Sequence, residues 1–223
     1  MTFPRGVLVF ALMAALFSMP GCAGLRGGGK TAGERIFRAK GCAACHQIEG
    51  PARDRTIADR LAGKGPELWY AGSKFRPGFL AGWLAEPEPI RPMKYYSLTE
   101  KNSGDHPRLS RAEASQVAAY LMGLTSDAVA GAGITPGPDP LGRGVFITEM
   151  ACYGCHQVES GSRLVGGVTG PRLAGAGARL NPDWIYAFLR TPGVFKPVKS
   201  MPVYGGYIDD RRMKALAAYI SSL

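Results

Sequence analysis

Two stretches of this chain share one pattern of reactive side chains. Cys42-Ala43-Ala44-Cys45-His46 and Cys152-Tyr153-Gly154-Cys155-His156 both read C-x-x-C-H and begin 110 residues apart. Two thiols at that spacing, with an imidazole directly after, form the attachment signature of a c-type haem. Each thiol adds across one vinyl group to make a thioether, and the histidine is carried beneath the iron as an axial ligand. The competing chemistries fit less well. A zinc site needs four converging ligands and each motif supplies at most three. A dithiol redox pair has no use for the adjacent histidine. The pair of motifs therefore implies two covalently bound haem c groups, with His46 and His156 as axial ligands.

A haem iron has a second axial position. The chain has three histidines, so His106 can serve only one of the two irons. Methionine thioethers are the other candidates. Met201 lies in Lys199-Ser200-Met201-Pro202-Val203-Tyr204 and Met93 in Arg91-Pro92-Met93-Lys94-Tyr95-Tyr96, each with a tyrosine three residues on. Both segments are loops, and packing explains poorly a Met201-Pro202 pair in a loop late in its domain. The expectation is Met93 for the first iron and Met201 for the second. His106, in the polar insertion Ser103-Gly104-Asp105-His106-Pro107, is the rival to Met93. Met122, Met150 and Met213 stand beside apolar neighbours at helical positions and read as core.

The elements that position these groups recur. Thr31 to Glu34 reads as a capping box opening a helix with Ile36 and Phe37. Asp139 and Pro140 open its counterpart with Val145 and Phe146. Gly65-Pro66-Glu67-Leu68 is matched by Gly170-Pro171-Arg172-Leu173. An amphipathic helix opened by Pro77 (Phe79, Leu80, Trp83, Leu84) is matched by one capped by Asn181 (Trp184, Ile185, Phe188, Leu189), and each ends before a proline. Ser110 and Glu113 form a capping box on a last helix with Val117, Tyr120, Leu121 and Leu124. Asp209 opens the other last helix, with Leu216, Tyr219, Ile220 and Leu223. No strand alternation persists, so the expected fold is all-α. It divides into domains at 31–124 and 139–223, each of three to four short helices around a haem, joined by a Gly- and Pro-rich linker at 125–138.

These motifs resemble the class I cytochrome c family over nearly the whole chain after residue 30. As a tandem pair they are similar to di-haem cytochromes of the c4 kind. The resemblance implies that the last helix of each domain crosses the first. It implies that the carbonyls of Pro66 and Pro171 accept the Nδ1–H of His46 and His156. It further implies an exposed haem edge ringed by basic residues, for which Arg91, Lys94, Lys196 and Lys199 are placed.

The amino terminus reads as an export signal over residues 1–21. Arg5 precedes an apolar run, Val7 to Phe17, too short to span a bilayer. Gly21-Cys22 after it resembles a bacterial lipoprotein cleavage site. The fifth of five cysteines would then carry lipid, with residues 22–30 as a flexible tether. This places the protein on the periplasmic side of a bacterial membrane, anchored and not spanning. With 26 Lys and Arg against 17 Asp and Glu after removal of Arg5, the surface suits acidic redox partner proteins. Export and haem exclude nucleic acid. With both irons six-coordinate there is no open site for substrate. The expectation is an electron-transfer protein and not an enzyme, acting as a free relay or as a fixed subunit of a membrane oxidoreductase. A di-haem peroxidase is the third reading.

Overall fold

The computed structural model describes residues 1–2 and 31–223. The rest of the expected signal, the tether and Cys22 lie outside the described residues. The first half contains α1 (Ala32–Ala39), α2 (Ile57–Ala62), α3 (Ala71–Lys74), α4 (Phe79–Ala85) and α5 (Arg111–Met122). The second contains α6 (Pro140–Gly144), which runs on as a π turn to Glu149, then α7 (Ala176–Arg179), α8 (Pro182–Arg190), α9 (Pro192–Phe195) and α10 (Asp210–Ile220). The architecture is all-α with one exception. Val158–Ser160 and Arg163–Val165 pair antiparallel as a small hairpin, β1 and β2. Its outer strand is wholly exposed, so it leaves no alternating apolar pattern to read.

Local signals set most helix starts. Ser110 and Glu113 complete a capping box on α5. Asp139 caps α6 and Asn181 caps α8, each with proline in the first turn, where the missing N–H costs nothing. Three details depart from expectation. Thr31 accepts from the Glu34 N–H at 3.1 Å, but the Glu34 carboxylate takes Arg38 Nε at 2.8 Å, so that box is half made. The helix expected from Pro77 begins at Phe79, because Gly78 at φ 91° breaks the approach. Helix α2, opened by a Thr56–Asp59 box, went unread because it is only six residues long and turns Ile57 and Leu61 outward.

In each half the first and last helices cross at a glycine. A Cβ on Gly33 would lie 2.0 Å from Gln116 O in α5, and one on Gly142 would lie 2.0 Å from Ala215 O in α10. Beside each crossing an aromatic pair packs at the same geometry. Phe37–Tyr120 and Phe146–Tyr219 have ring centres 5.6 and 5.5 Å apart, both tilted by 57°. Two backbones this close admit no side chain, and the rings fill the space around them.

The halves join along paired backbone. Phe75 and Leu180 form an antiparallel bridge, flanked by Arg76 N to Arg179 O at 3.0 Å and Asn181 N to Lys74 O at 2.8 Å. Tyr70, fully buried, stacks on Trp184 and meets Phe195 edge-on, with centres 6.3 and 5.0 Å apart. Residues 125–138 lie against the molecule. Ser126 N donates to Ser73 Oγ at 2.9 Å, Ile134 N to Asp183 Oδ1 at 3.1 Å and Gly137 N to Ala218 O at 3.2 Å.

Candidate functional site

Each C-x-x-C-H segment is a tight turn entered through the left-handed region. Gly41 has φ 70° before Cys42–Ala44, and Ala151 has φ 46° before Cys152–Gly154. The N–H of His46 closes on Cys42 O at 3.0 Å, and that of His156 on Cys152 O at 3.1 Å. Ala151 gains nothing from glycine's freedom, so its surroundings hold a conformation costing ~1 kcal/mol. The four described thiols are unpaired, Cys45 and Cys155 exposed and Cys42 and Cys152 half-buried. Burial pushes the Cys42 thiol up and the Cys152 thiol to about 11. Both stay protonated at neutral pH.

The two imidazoles are oriented alike. His46 Nδ1 lies 2.7 Å from Pro66 O and His156 Nδ1 lies 2.7 Å from Pro171 O. A carbonyl only accepts, so Nδ1 carries the proton and Nε2 keeps a bare lone pair, the form that ligates a metal. Burial lowers both histidine pKa values, against the pull of these carbonyls, which favours the neutral ring. The glycine before each proline makes the approach possible. A Cβ on Gly65 would lie 2.5 Å from His46 Cε1, and one on Gly170 would lie 2.6 Å from His156 Cε1.

The remaining candidate ligands are placed differently from one another. Met201 is half-buried against the second half's core. Met93 is 8% exposed and sits in a loop whose backbone pairs with Lys101. His106 stands opposite His46, with ring centres 6.0 Å apart. Its Nδ1 lies 2.9 Å from Pro107 O, and Trp83 packs on it at 4.6 Å.

A buried ionic cluster lies between the halves. Glu67, 5% exposed, takes Arg60 at 3.1 Å, and its other carboxylate oxygen takes Lys196 Nζ from the second half. Burial would raise the Glu67 pKa, but Lys196 and Arg60 outweigh it and hold the carboxyl below its usual range. Tyr95 lies between the guanidiniums of Arg60 and Arg91, 4.2 and 4.1 Å from its ring centre. Arg91 also donates to Thr169 O. Lys196 and Arg91 are therefore engaged inside the molecule, and Lys94 pairs with Glu100 at 2.9 Å. Among the described residues Lys199 alone of the four docking candidates has no ion pair or hydrogen bond to its side chain. The cluster escaped the sequence reading because Arg60, Glu67 and Lys196 carry no local signal of burial.

The residues present fit a haem. Each motif offers two free thiols and a neutral, oriented imidazole. Among the described residues five buried donors have no hydrogen-bond partner: Arg60 Nε, Trp69 Nε1, Tyr70 OH, Arg172 Nε and Trp184 Nε1. A buried donor seeks an acceptor, and haem carries two propionate carboxylates. Among the described residues no cluster of three or more His, Cys, Asp or Glu could hold a metal ion directly, and no helix is long and apolar enough to cross a membrane.

Residues 31–125 match the family model described as cytochrome c. Residues 140–220 match that of cytochrome c oxidase, cbb3-type, subunit III. The chain is 33% identical over 100 residues to cytochrome c oxidase subunit 2 of Bacillus subtilis (strain 168), an alignment covering 43% of this chain and 26% of that relative. The chain thus spans about a quarter of the relative's length. No solved structure matches. The cytochrome c matches imply covalently bound haem c. Together the two matches support a class I c-type cytochrome, built on the all-α cytochrome c fold.

Proposed function

We propose that the chain holds two haem c groups and relays single electrons between redox partners at a bacterial membrane. The observation that carries this reading is the duplicated imidazole: His46 on Pro66 O and His156 on Pro171 O, each at 2.7 Å, each next to a C-x-x-C turn. Cys42 and Cys45 would hold one group, and Cys152 and Cys155 the other. Haem c bound there supplies a one-electron couple at iron. The chain's own part is positional. Each thiol pair would fix the group covalently, and each Nε2 would be free to ligate the iron while Nδ1–H anchors the ring on its proline carbonyl. Met201 would supply the second ligand at the second site, and Met93, with His106 as its rival, that at the first. Filling both positions leaves no site for substrate. The expected signal and Cys22 would hold the protein on the periplasmic face by a lipid anchor.

The test is stoichiometric. A haemochrome assay on purified protein should give two haems per chain, and Cys42→Ala with Cys45→Ala should halve it. One haem in the unaltered protein refutes the relay. Slow or absent carbon monoxide binding by the reduced protein is expected, and rapid binding supports the peroxidase reading. A second reading, a fixed subunit of a membrane oxidoreductase, is favoured by the resemblance to oxidase subunits. Purification of the tagged chain from membranes in mild detergent decides it: stoichiometric co-purifying subunits support the complex, and a lone chain supports the free relay.

A further inference from the structure

We propose that His106, and not Met93, completes the coordination of the first haem iron, so that the two haems differ in kind: bis-histidine in the first half, histidine–methionine in the second. The inference rests on the reading of Cys42–His46 as a haem site and names the ligand that reading left open.

The distance between the rings comes first. An imidazole nitrogen sits about 2 Å from a first-row metal, and the ring centre lies just over an ångström behind it, so two imidazoles sharing one metal have centres about 6 Å apart. His46 and His106 have ring centres 6.0 Å apart. Their interplanar angle of 52° is permitted, because an imidazole turns about its bond to the metal without losing it.

The protonation pattern is a second, independent observation. His106 Nδ1 is 2.9 Å from Pro107 O, as His46 Nδ1 is 2.7 Å from Pro66 O. Both rings spend their proton on a backbone carbonyl and keep Nε2 free, the arrangement by which proteins orient a ligating histidine.

The insertion that carries His106 is built to hold it. Asn102 donates from its backbone N–H to Pro92 O at 2.9 Å and from Nδ2 to Arg91 O at 3.1 Å. Gly104, at φ 74°, lies so close to Pro89 that a Cβ would meet Pro89 Cγ at 2.9 Å. Trp83 packs on the imidazole itself and is held by its own Nε1–H bond to Glu88 O at 2.8 Å. Met93 shows the reverse. It is 8% exposed, whereas His46, His106, His156 and Met201 all keep an open face. The second half has no counterpart of His106.

Unequal ligands give unequal potentials. A methionine ligand raises the potential of a haem relative to bis-histidine. The first haem would then have the lower potential of the two.

Near-infrared magnetic circular dichroism of the oxidised holoprotein separates bis-histidine from histidine–methionine iron by their charge-transfer bands. The expected result for the unaltered protein is one haem of each kind. Met201→Ala removes the methionine band completely, and Met93→Ala leaves it at full amplitude. His106→Ala removes the bis-histidine band and opens the first haem to rapid carbon monoxide binding. Two histidine–methionine haems in the unaltered protein, a measurement needing no variant to fold, overturn the proposal, as does loss of half the methionine band in Met93→Ala. Failure of the parent reading looks different: a chain with no covalent haem on a denaturing gel, or with one haem.

Discussion

At the scale of single residues, the geometry of each site depends on a glycine that precedes the proline holding the histidine. Gly65 and Gly170 leave no room for a methyl group beside the imidazole. Gly65→Ala is expected to push the His46 ring off Pro66 O and weaken its hold on the iron. The first haem's reduction potential should shift and its reduced form should bind carbon monoxide, while the second haem is unchanged. Redox titration with optical detection reads both. Gly170→Ala should produce the mirror result at the second haem, which shows the effect to be local and not a general loss of fold.

At the scale of elements, the crossings of α1 with α5 and of α6 with α10 carry each half. Gly33→Ala or Gly142→Ala places a Cβ 2.0 Å from a backbone oxygen, which the helices relieve only by moving apart. Overpacking of this kind costs about 1–3 kcal/mol, read by denaturant unfolding of the holoprotein. The start of α5 offers a pH test. Hydrogen bonds from Lys40 and Ser110 hold the Glu113 carboxyl at about 2, against ~4.3 for an unperturbed glutamate. A depressed folded pKa means the stabilisation is complete above pH ~4.3 and is lost as pH falls toward 2. Glu113→Gln should flatten that part of the stability curve. Ser110→Ala, which removes the cap itself, should cost ~1 kcal/mol at neutral pH.

At the scale of the whole molecule, the ionic cluster ties the two halves. Glu67 belongs to the first and Lys196 to the second, and both side chains are largely withdrawn from water. Glu67→Gln leaves Lys196 without its counter-charge and Arg60 with Asp54 alone, at 3.4 Å, and breaking a buried pair of this kind costs about 3–5 kcal/mol. Two-probe unfolding, following each haem's absorbance, should show the halves melting together in the unaltered protein and separately in the variant. Glu67→Gln with Lys196→Met removes both charges and should recover most of the loss. A cluster that merely decorates the surface would show neither effect.

What the sequence determined by itself is what lies within a few residues of a signal. The C-x-x-C-H pattern names its own chemistry because five consecutive residues make the site. The caps at Ser110, Asp139, Asn181 and Asp209 mark their helices for the same reason, and the repeat gives the all-α fold. The sequence missed α2 and the hairpin at 158–165, whose exposed residues carry no apolar period. It missed the glycines at the crossings, whose role depends on a helix some eighty residues away. Tertiary structure alone decided which side chain stands opposite His46. His106 lies in a polar insertion that reads as a surface loop, and the bonds of Asn102, the close fit of Gly104 and the face of Trp83 bring its ring within 6.0 Å of His46. Tertiary structure likewise decided that Lys196 faces inward, since a lysine's burial depends on a carboxylate 129 residues away in sequence. Attachment chemistry is local and can be read directly; ligand choice and charge pairing are long-range, fixed only when the chain closes on itself.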